Sequence, residues 1–359
     1  MVRDVVVGGG APVVVQAMTK VDPHDARAVA RQADELYDLG ARIVRVAVPD
    51  RRAAEALAEV VRRARAPIVA DIHFAPGLAL AAIAAGVHKV RVNPGNLRGG
   101  EDAVRAVARA ASARGVPIRV GANSGSLPKG DLPADRGRAL AEAVIAECRA
   151  FERVGFTDIV VSAKGNDVAS TVAAGRALAH ETDYPLHVGL TAAGPPSCAR
   201  VKSAIGIGSL LADGIGDTIR VSYTGPPHEE VRAAYEILEA VGLERSGPEI
   251  VSCPTCGRCG TDLAATVESV REALAGLTAP ITVAVMGCEV NGPGEAAGAD
   301  VGLACFGGGG YLFAGGEKIR RVREDAMVAA LVELATKVAA EAELGRVEHA
   351  PALSRKDAP

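Results

Sequence analysis

Short runs rich in Val and Ile recur along the first two thirds of the chain, and each gives way to an Ala-rich stretch with helical spacing. The runs are Pro12–Met18, Arg42–Val48, Pro67–Ile72, His88–Asn93, Val116–Ala122, Thr157–Ala163, Tyr184–Leu190 and Gly216–Ser222. Helical pattern fills the gaps, as in Asp25–Leu39, Arg51–Arg65 and Leu140–Val154. Eight β/α units in succession predict a TIM (β/α)8 barrel, an α/β fold. An open doubly wound sheet is the alternative, because strand order is invisible in sequence.

Side chains alternate faces along a strand. In Arg42–Val48 the valines 44, 46 and 48 share one face, so Arg45 points the other way, into the barrel. The same alternation turns Arg91 with Asn93, Arg119, and Arg220 with Ser222 inward. Asp71 and His73 share the inward face of their run, Lys164 ends the sixth run, and His187 lies opposite Leu186 and Val188. Four guanidiniums and an amine in one cavity are costly to bury unpaired, and Asp71 alone cannot neutralise them. The cavity therefore calls for a polyanion, and guanidinium favours phosphate. The competing reading is an internal ion-pair layer, with Arg45 paired to Asp71 and the others to Glu or Asp of the loops. Loops at the same end offer amides and backbone N–H groups: 93–96, Gly121–Ser126 with Asn123, and Lys202–Gly208, where Lys202 stands beside a G-x-G.

The pattern changes after Gly242–Pro248, a plausible linker. Residues 1–245 are expected to form the barrel, 246–344 a smaller α+β domain, and 345–359 a disordered tail. Strands are predicted at Glu249–Cys253, Pro280–Met286 and Asp300–Ala304. Helices are predicted at Thr261–Leu277 and Glu324–Leu344, and a plain turn at Gly307–Gly310.

Composition narrows this picture. Hydrophobic residues make up 49% of the 359 residues and aromatics only 3%, which suits buried parallel strands under Ala-rich helices. A formal charge of −3 gives no sign of a nucleic-acid or membrane partner. No apolar run approaches a membrane span, and Asp4 and Gly8–Gly10 interrupt any signal-peptide core. The seven cysteines thus fit a reducing cytoplasm and a metal site better than disulfides.

Cys253, Cys256 and Cys259 form a C-x-x-C-x-x-C turn. Cys288 and Glu295 follow in a Gly/Pro loop, Met286–Glu295. With no second C-x-x-C and no histidine nearby, this looks more like iron–sulfur than zinc ligation. Structural zinc and unligated thiols stay open as alternatives. Cys148 and Cys198 read as ordinary thiols, and Cys305 has no ligand spacing.

Several segments together resemble one family. They are 15–19 (VQAMT), 43–48 (IVRVAV), 70–74 (ADIHF), 90–96 (VRVNPGN), 123–127 (NSGSL), 214–222 (GIGDTIRVS), 252–258 and 286–295. The chain resembles the bacterial 4-hydroxy-3-methylbut-2-enyl diphosphate synthases of the methylerythritol phosphate route to isoprenoids, over about residues 2–340. The resemblance implies reductive ring opening and dehydration of 2-C-methyl-D-erythritol 2,4-cyclodiphosphate. It implies a 4Fe–4S cluster on Cys253, Cys256, Cys288 and Glu295, with ferredoxin or flavodoxin as electron donor. It also implies a head-to-tail homodimer, in which the cluster domain of one subunit caps the barrel of the other. A carboxylate is a harder, weaker ligand for iron than thiolate and would leave one iron exchangeable. Substrate-binding candidates are Arg45, Arg91, Asn93, Arg119, Asn123, Lys164, His187, Lys202, Arg220 and Ser222. Catalytic candidates are Glu295, Asp71, His73 and Asn166.

The chain departs from the family pattern in three places. Ala192 stands where a glutamate is usual, Gly165-Asn166-Asp167 replaces the usual x-Ser-Asp after Lys164, and Cys259 is extra. Ala192 is expected at the barrel mouth, where it can neither deliver a proton nor hold a substrate hydroxyl.

Overall fold

The computed structural model describes residues 1–73, 75–92, 98–126, 136–245 and 247–349. The chain folds as two compact units, Met1–Glu244 and Arg245–Pro359.

The first unit is a barrel of eight parallel strands: β1 (Val14–Met18), β2 (Ile43–Val48), β3 (Ile68–Ile72), β4 (Lys89–Val92), β5 (Ile118–Asn123), β6 (Ile159–Lys164), β7 (His187–Val188) and β8 (Thr218–Ile219). They lie in the order β6-β5-β4-β3-β2-β1-β8-β7. A parallel bridge between Val161 and Leu186 joins the two ends. This closure settles the choice between barrel and open sheet. Strands β7 and β8 are much shorter than the runs that predicted them. Gly189, just past β7, marks a close approach of two backbones, since a Cβ there would strike the Arg220 carbonyl.

Helices α1 (Ala26–Asp38), α2 (Arg51–Arg63), α3 (Pro76–Ala84), α4 (Gly100–Ser112), α5 (Arg136–Glu152), α6 (Val168–Glu181), α7 (Pro196–Ala212) and α8 (Pro227–Ala240) follow the strands in turn. Several start on a side-chain cap, which satisfies N–H groups left open in the first turn. Asp25 caps α1, Asp50 caps α2 and Asp167 caps α6. The outward valines of β2, namely Val44, Val46 and Val48, are buried in the layer between strands and helices. The floor of the barrel is a separate apolar plug of Val14, Ile43 and Val69, closed by Val2 and Val5. Mostly polar and charged side chains occupy the rest of the interior, towards the strand ends opposite that floor.

The second unit holds a five-stranded sheet: β9 (Glu249–Ser252), β10 (Thr282–Met286), β11 (Val301–Phe306), β12 (Gly309–Ala314) and β13 (Glu317–Arg323). Its order is β13-β12-β11-β10-β9. Strands β9, β10 and β11 are parallel, whereas β11, β12 and β13 form antiparallel hairpins. Gly307 and Gly308 make the two-residue turn between β11 and β12, with Gly308 at φ 82°. The sequence pattern missed β12 and β13. The latter, Glu-Lys-Ile-Arg-Arg-Val-Arg, is too charged to read as a strand, but such charge suits an edge that must not pair further. Helices α9 (Leu263–Ala273), α10 (Gly292–Ala297) and α11 (Met327–His349) complete the unit. Helix α11 runs past the expected end at Leu344, and residues 350–359 lie outside the described part.

Candidate functional site

Parallel pairing brings the inward residues of neighbouring strands together. Asp71 of β3 is the register partner of Arg91 of β4, which is in turn the partner of Arg119 of β5. Asn123 lies opposite Lys164 across β5 and β6. Together with Arg45, His73, Ser162, Thr191, Arg220 and Ser222 these side chains line a cavity of about 100 Å³. Small residues keep it open: a Cβ on Gly121 would lie 2.9 Å from the Ser162 carbonyl oxygen.

The charges inside are only partly paired. Asp71 takes Arg91 at 3.3 Å and Arg45 at 3.8 Å. Burial alone would raise the pKa of Asp71. Arg45, His73 and Arg91 outweigh it and hold the carboxyl well below the usual carboxylate range. Arg45 also donates to the Met18 sulfur at 3.0 and 3.2 Å. Its pKa falls to about 10, through burial first and then through Arg220 and Arg91. His73 is half exposed, with Arg91 Nη1 3.2 Å from its Nε2. Arg119 is 2% exposed, and its Nε and Nη1 have no hydrogen-bond partner. Burial, then Arg45 and Arg91, depress its pKa strongly.

Lys164 and His187 form a second layer. Lys164 Nζ lies 3.1 Å from His187 Nε2, and His187 Nδ1 meets the Thr218 hydroxyl. Burial first, and then the surrounding cations, push both pKa values well below the ordinary range. His187 is fully buried under Lys164 and is not among the lining side chains.

Arg220 has an acidic partner of the kind the ion-pair reading expected, but it comes from a helix and not from a loop. Glu230, in the first turn of α8, is 2% exposed and reaches Arg220 Nη2 at 3.3 Å. It also accepts from Lys20 Nζ at 2.8 Å and from the Tyr223 N–H at 3.0 Å. An acid after Pro-Pro in a first turn reads as dipole compensation, and nothing local tells that it turns inward. Lys89, fully buried on β4, was also missed. Its signal was available, because residues 89 and 91 share a strand face.

Other expected residues fall elsewhere. Lys202 is exposed on α7, and Gly206 and Gly208 are buried in the middle of that helix. Their N–H groups serve the helix ladder, so the phosphate-loop reading of this segment is corrected. Gly206 is small because a Cβ would lie 2.7 Å from Leu190 Cδ1. Asn166 is exposed in the loop after β6 and does not line the cavity. Asn93 lies outside the described residues. Ala192 is exposed with φ 50°, next to the lining residue Thr191.

In the second unit, Val285 pairs with Ser252 across β10 and β9. The two thiol-bearing loops therefore leave neighbouring parallel strands at the same end. The Gly287 N–H donates to Cys253 Sγ at 3.3 Å. A Cβ on Gly287 would lie 2.5 Å from Cys259 Sγ, so only glycine leaves that sulfur its space, whereas 3.5 Å from Cys253 Sγ is ordinary contact. The Arg258 N–H lowers the pKa of Cys256. The N–H groups of Asn291, Val290 and Gly292 lower that of Cys288. N–H donors aimed at sulfur favour thiolate, the form that binds iron. Glu295 is exposed in α10, on the same loop as Cys288. Cys259 donates to the Thr261 carbonyl at 3.2 Å. Cys305 is buried and pushed up to about 12, mainly by desolvation. Among the described residues no three His, Cys, Asp or Glu side chains converge on a single ion. A cubane asks for less convergence, because its ligands go to separate irons.

The family profile described as the GcpE TIM-barrel domain matches residues 1–235, and the GcpE protein C-terminal domain matches residues 249–337. The chain is 50% identical over 345 residues to a protein of Salinispora arenicola, covering 95% of this chain and 88% of that one. It is 49% identical over 336 residues to one of Aquifex aeolicus, covering 92% and 94%. It is 49% identical over 344 residues to one of Geobacter sulfurreducens, covering 95% and 97%. All three relatives carry the name 4-hydroxy-3-methylbut-2-en-1-yl diphosphate synthase (flavodoxin).

Proposed function

This chain belongs to the GcpE family, and from that we propose that it makes 4-hydroxy-3-methylbut-2-enyl diphosphate from 2-C-methyl-D-erythritol 2,4-cyclodiphosphate, with reduced flavodoxin as electron donor. One carbon–oxygen bond to phosphate breaks and opens the ring, and a hydroxyl leaves as water. Two electrons and two protons balance the change. The observation that carries the reading is the lining of the barrel cavity, four guanidiniums and one amine against one carboxylate.

Arg45, Arg91, Arg119 and Arg220 bind and orient the two phosphate groups, in the manner of charge-assisted pairs. Asn123 and Ser222 add neutral donors at the rim. Asp71, held ionised by Arg45 and Arg91, accepts from a substrate hydroxyl, and His73 stands beside it at the open side. Lys164, whose charged form burial disfavours, gains from the diphosphate's negative charge when the ligand arrives. Asn166, outside the cavity lining, has no part in this reading.

The second unit's thiols suit a 4Fe–4S cluster on Cys253, Cys256 and Cys288, with Glu295 as the fourth ligand. The support is the set of N–H donors at the three sulfurs. When bound, the cluster supplies the electrons. A head-to-tail homodimer, in which each cluster unit serves the partner's barrel, is part of the proposal. Among the described residues no helix is long and apolar enough to cross a membrane.

The test is an anaerobic assay of cluster-loaded protein with the cyclic diphosphate and reduced flavodoxin or dithionite. Release of 4-hydroxy-3-methylbut-2-enyl diphosphate is the expected outcome. Tight binding with no product from a fully loaded preparation would leave a binding protein instead.

A further inference from the structure

Lys89 enters the barrel from β4, two residues before Arg91 and so one layer deeper than the cavity lining. It is fully buried, and its Nζ has no hydrogen-bond partner. The charged groups that face it come from most of the barrel. Arg45 stands on β2, Asp71 and His73 on and just after β3, and Arg91 on its own strand. Arg119 stands on β5, Lys164 on β6, His187 on β7 and Arg220 just after β8, while β1 presents no charged group, only Gln16, Met18 and the floor residue Val14. Asp71 is engaged by Arg45 and Arg91, and Glu230 of α8 by Arg220 and Lys20. Among the described residues no carboxylate pairs with Lys89. Burial, and then Arg119 and Arg45, push its pKa down to about 7.

We propose that Lys89 is a positioning residue for the anionic ligand, acting through Arg119 and taking up a proton as the ligand enters the cavity. The inference rests on the diphosphate reading of that cavity. With the cavity empty, a third cation beside Arg119 and Arg45 is repelled, and the amine form relieves the crowding. A diphosphate held by the same two guanidiniums reverses the sign of the local potential. The ammonium form then becomes the favoured one, and it adds attraction from beneath.

The sign of the pH effect follows by linkage. Lys89 has a lower pKa in the free protein than in the complex. Its contribution to affinity is therefore fully present below the free value, about 7. That contribution fades as pH rises through the bound value, and between the two each binding event takes up a proton. In that window the affinity falls by up to about tenfold per pH unit.

The experiment titrates the cyclic diphosphate calorimetrically into cluster-loaded, oxidised protein without reductant. It is run at pH 8 in two phosphate-free buffers of different ionisation enthalpy. The expected result is a proton uptake larger by most of one proton in the wild type than in Lys89→Met, whose similar volume keeps the packing. Lys89→Gln is the second variant, and in both the fall in affinity above pH 7 is shallower than in the wild type. Equal proton uptake in all three, with binding intact, overturns the role of Lys89. Absence of binding in all three overturns the diphosphate reading, and this inference with it.

Discussion

Arg91 and Arg119 are direct register partners across β4 and β5, so two guanidiniums enter the barrel side by side. Arg91 donates to Asp71 at 3.3 Å, whereas Arg119 Nε and Nη1 meet nothing. A buried cation without a partner costs stability, and ligand charge can offset that cost. Arg119→Met should therefore raise the melting temperature of the free protein while weakening diphosphate binding by about 1–3 kcal/mol. Arg220→Ala should weaken both, because it leaves Glu230 buried with Lys20 as its one ion-pair partner. Calorimetric melting and titration measure the two effects. Unchanged affinity in both variants would favour the internal ion-pair reading.

The thiols make a separable prediction. Anaerobically purified protein should be brown, with iron and sulfide in about the proportion of one cubane. Cys253→Ser, Cys256→Ser and Cys288→Ser should each lose most of the iron. Cys259→Ser should keep it, since that thiol is occupied with the Thr261 carbonyl. Zinc without sulfide in such a preparation would sink the assignment.

Ala192 combines a left-handed backbone, φ 50°, with an exposed side chain next to Thr191 of the cavity lining. Ala192→Glu restores the carboxyl group expected at the mouth, and a general acid is worth about 10²–10⁴ in rate. Turnover of the cyclic diphosphate should rise at least several-fold. Ala192→Gly should instead stabilise the fold by roughly 1 kcal/mol, because glycine bears no Cβ penalty at positive φ. A slower Ala192→Glu enzyme would show that this position delivers no proton here.

Subunit mixing addresses the dimer. An Arg119→Met subunit keeps its cluster unit, and a Cys256→Ser subunit keeps its barrel. If each cluster serves the partner's barrel, a verified heterodimer of the two holds one intact site and recovers part of the activity. Heterodimers as inactive as either parent would argue that each site is formed within one chain.

Much of this was legible in the chain because it depends on local geometry. Strand alternation alone turns Arg45, Arg91, Arg119 and Arg220 inward, since Cβ atoms take opposite faces whatever lies across from them. The repeated β/α pattern gave the eight units, and the thiol spacing marked the loops after β9 and β10. The order β6-β5-β4-β3-β2-β1-β8-β7 and its closing bridge are not local, and only tertiary structure separated barrel from open sheet. The same holds for pairing. Register sets Asp71 beside Arg91, Arg45 reaches the same carboxylate from a position paired with Val69, and helix packing turns Glu230 onto Arg220. Gly206 and Gly208 looked like a phosphate loop because a G-x-G has the same letters in a loop and in a helix. Which face a side chain takes is fixed within a few residues, whereas the charge it meets comes from another segment, and no short pattern carries that information.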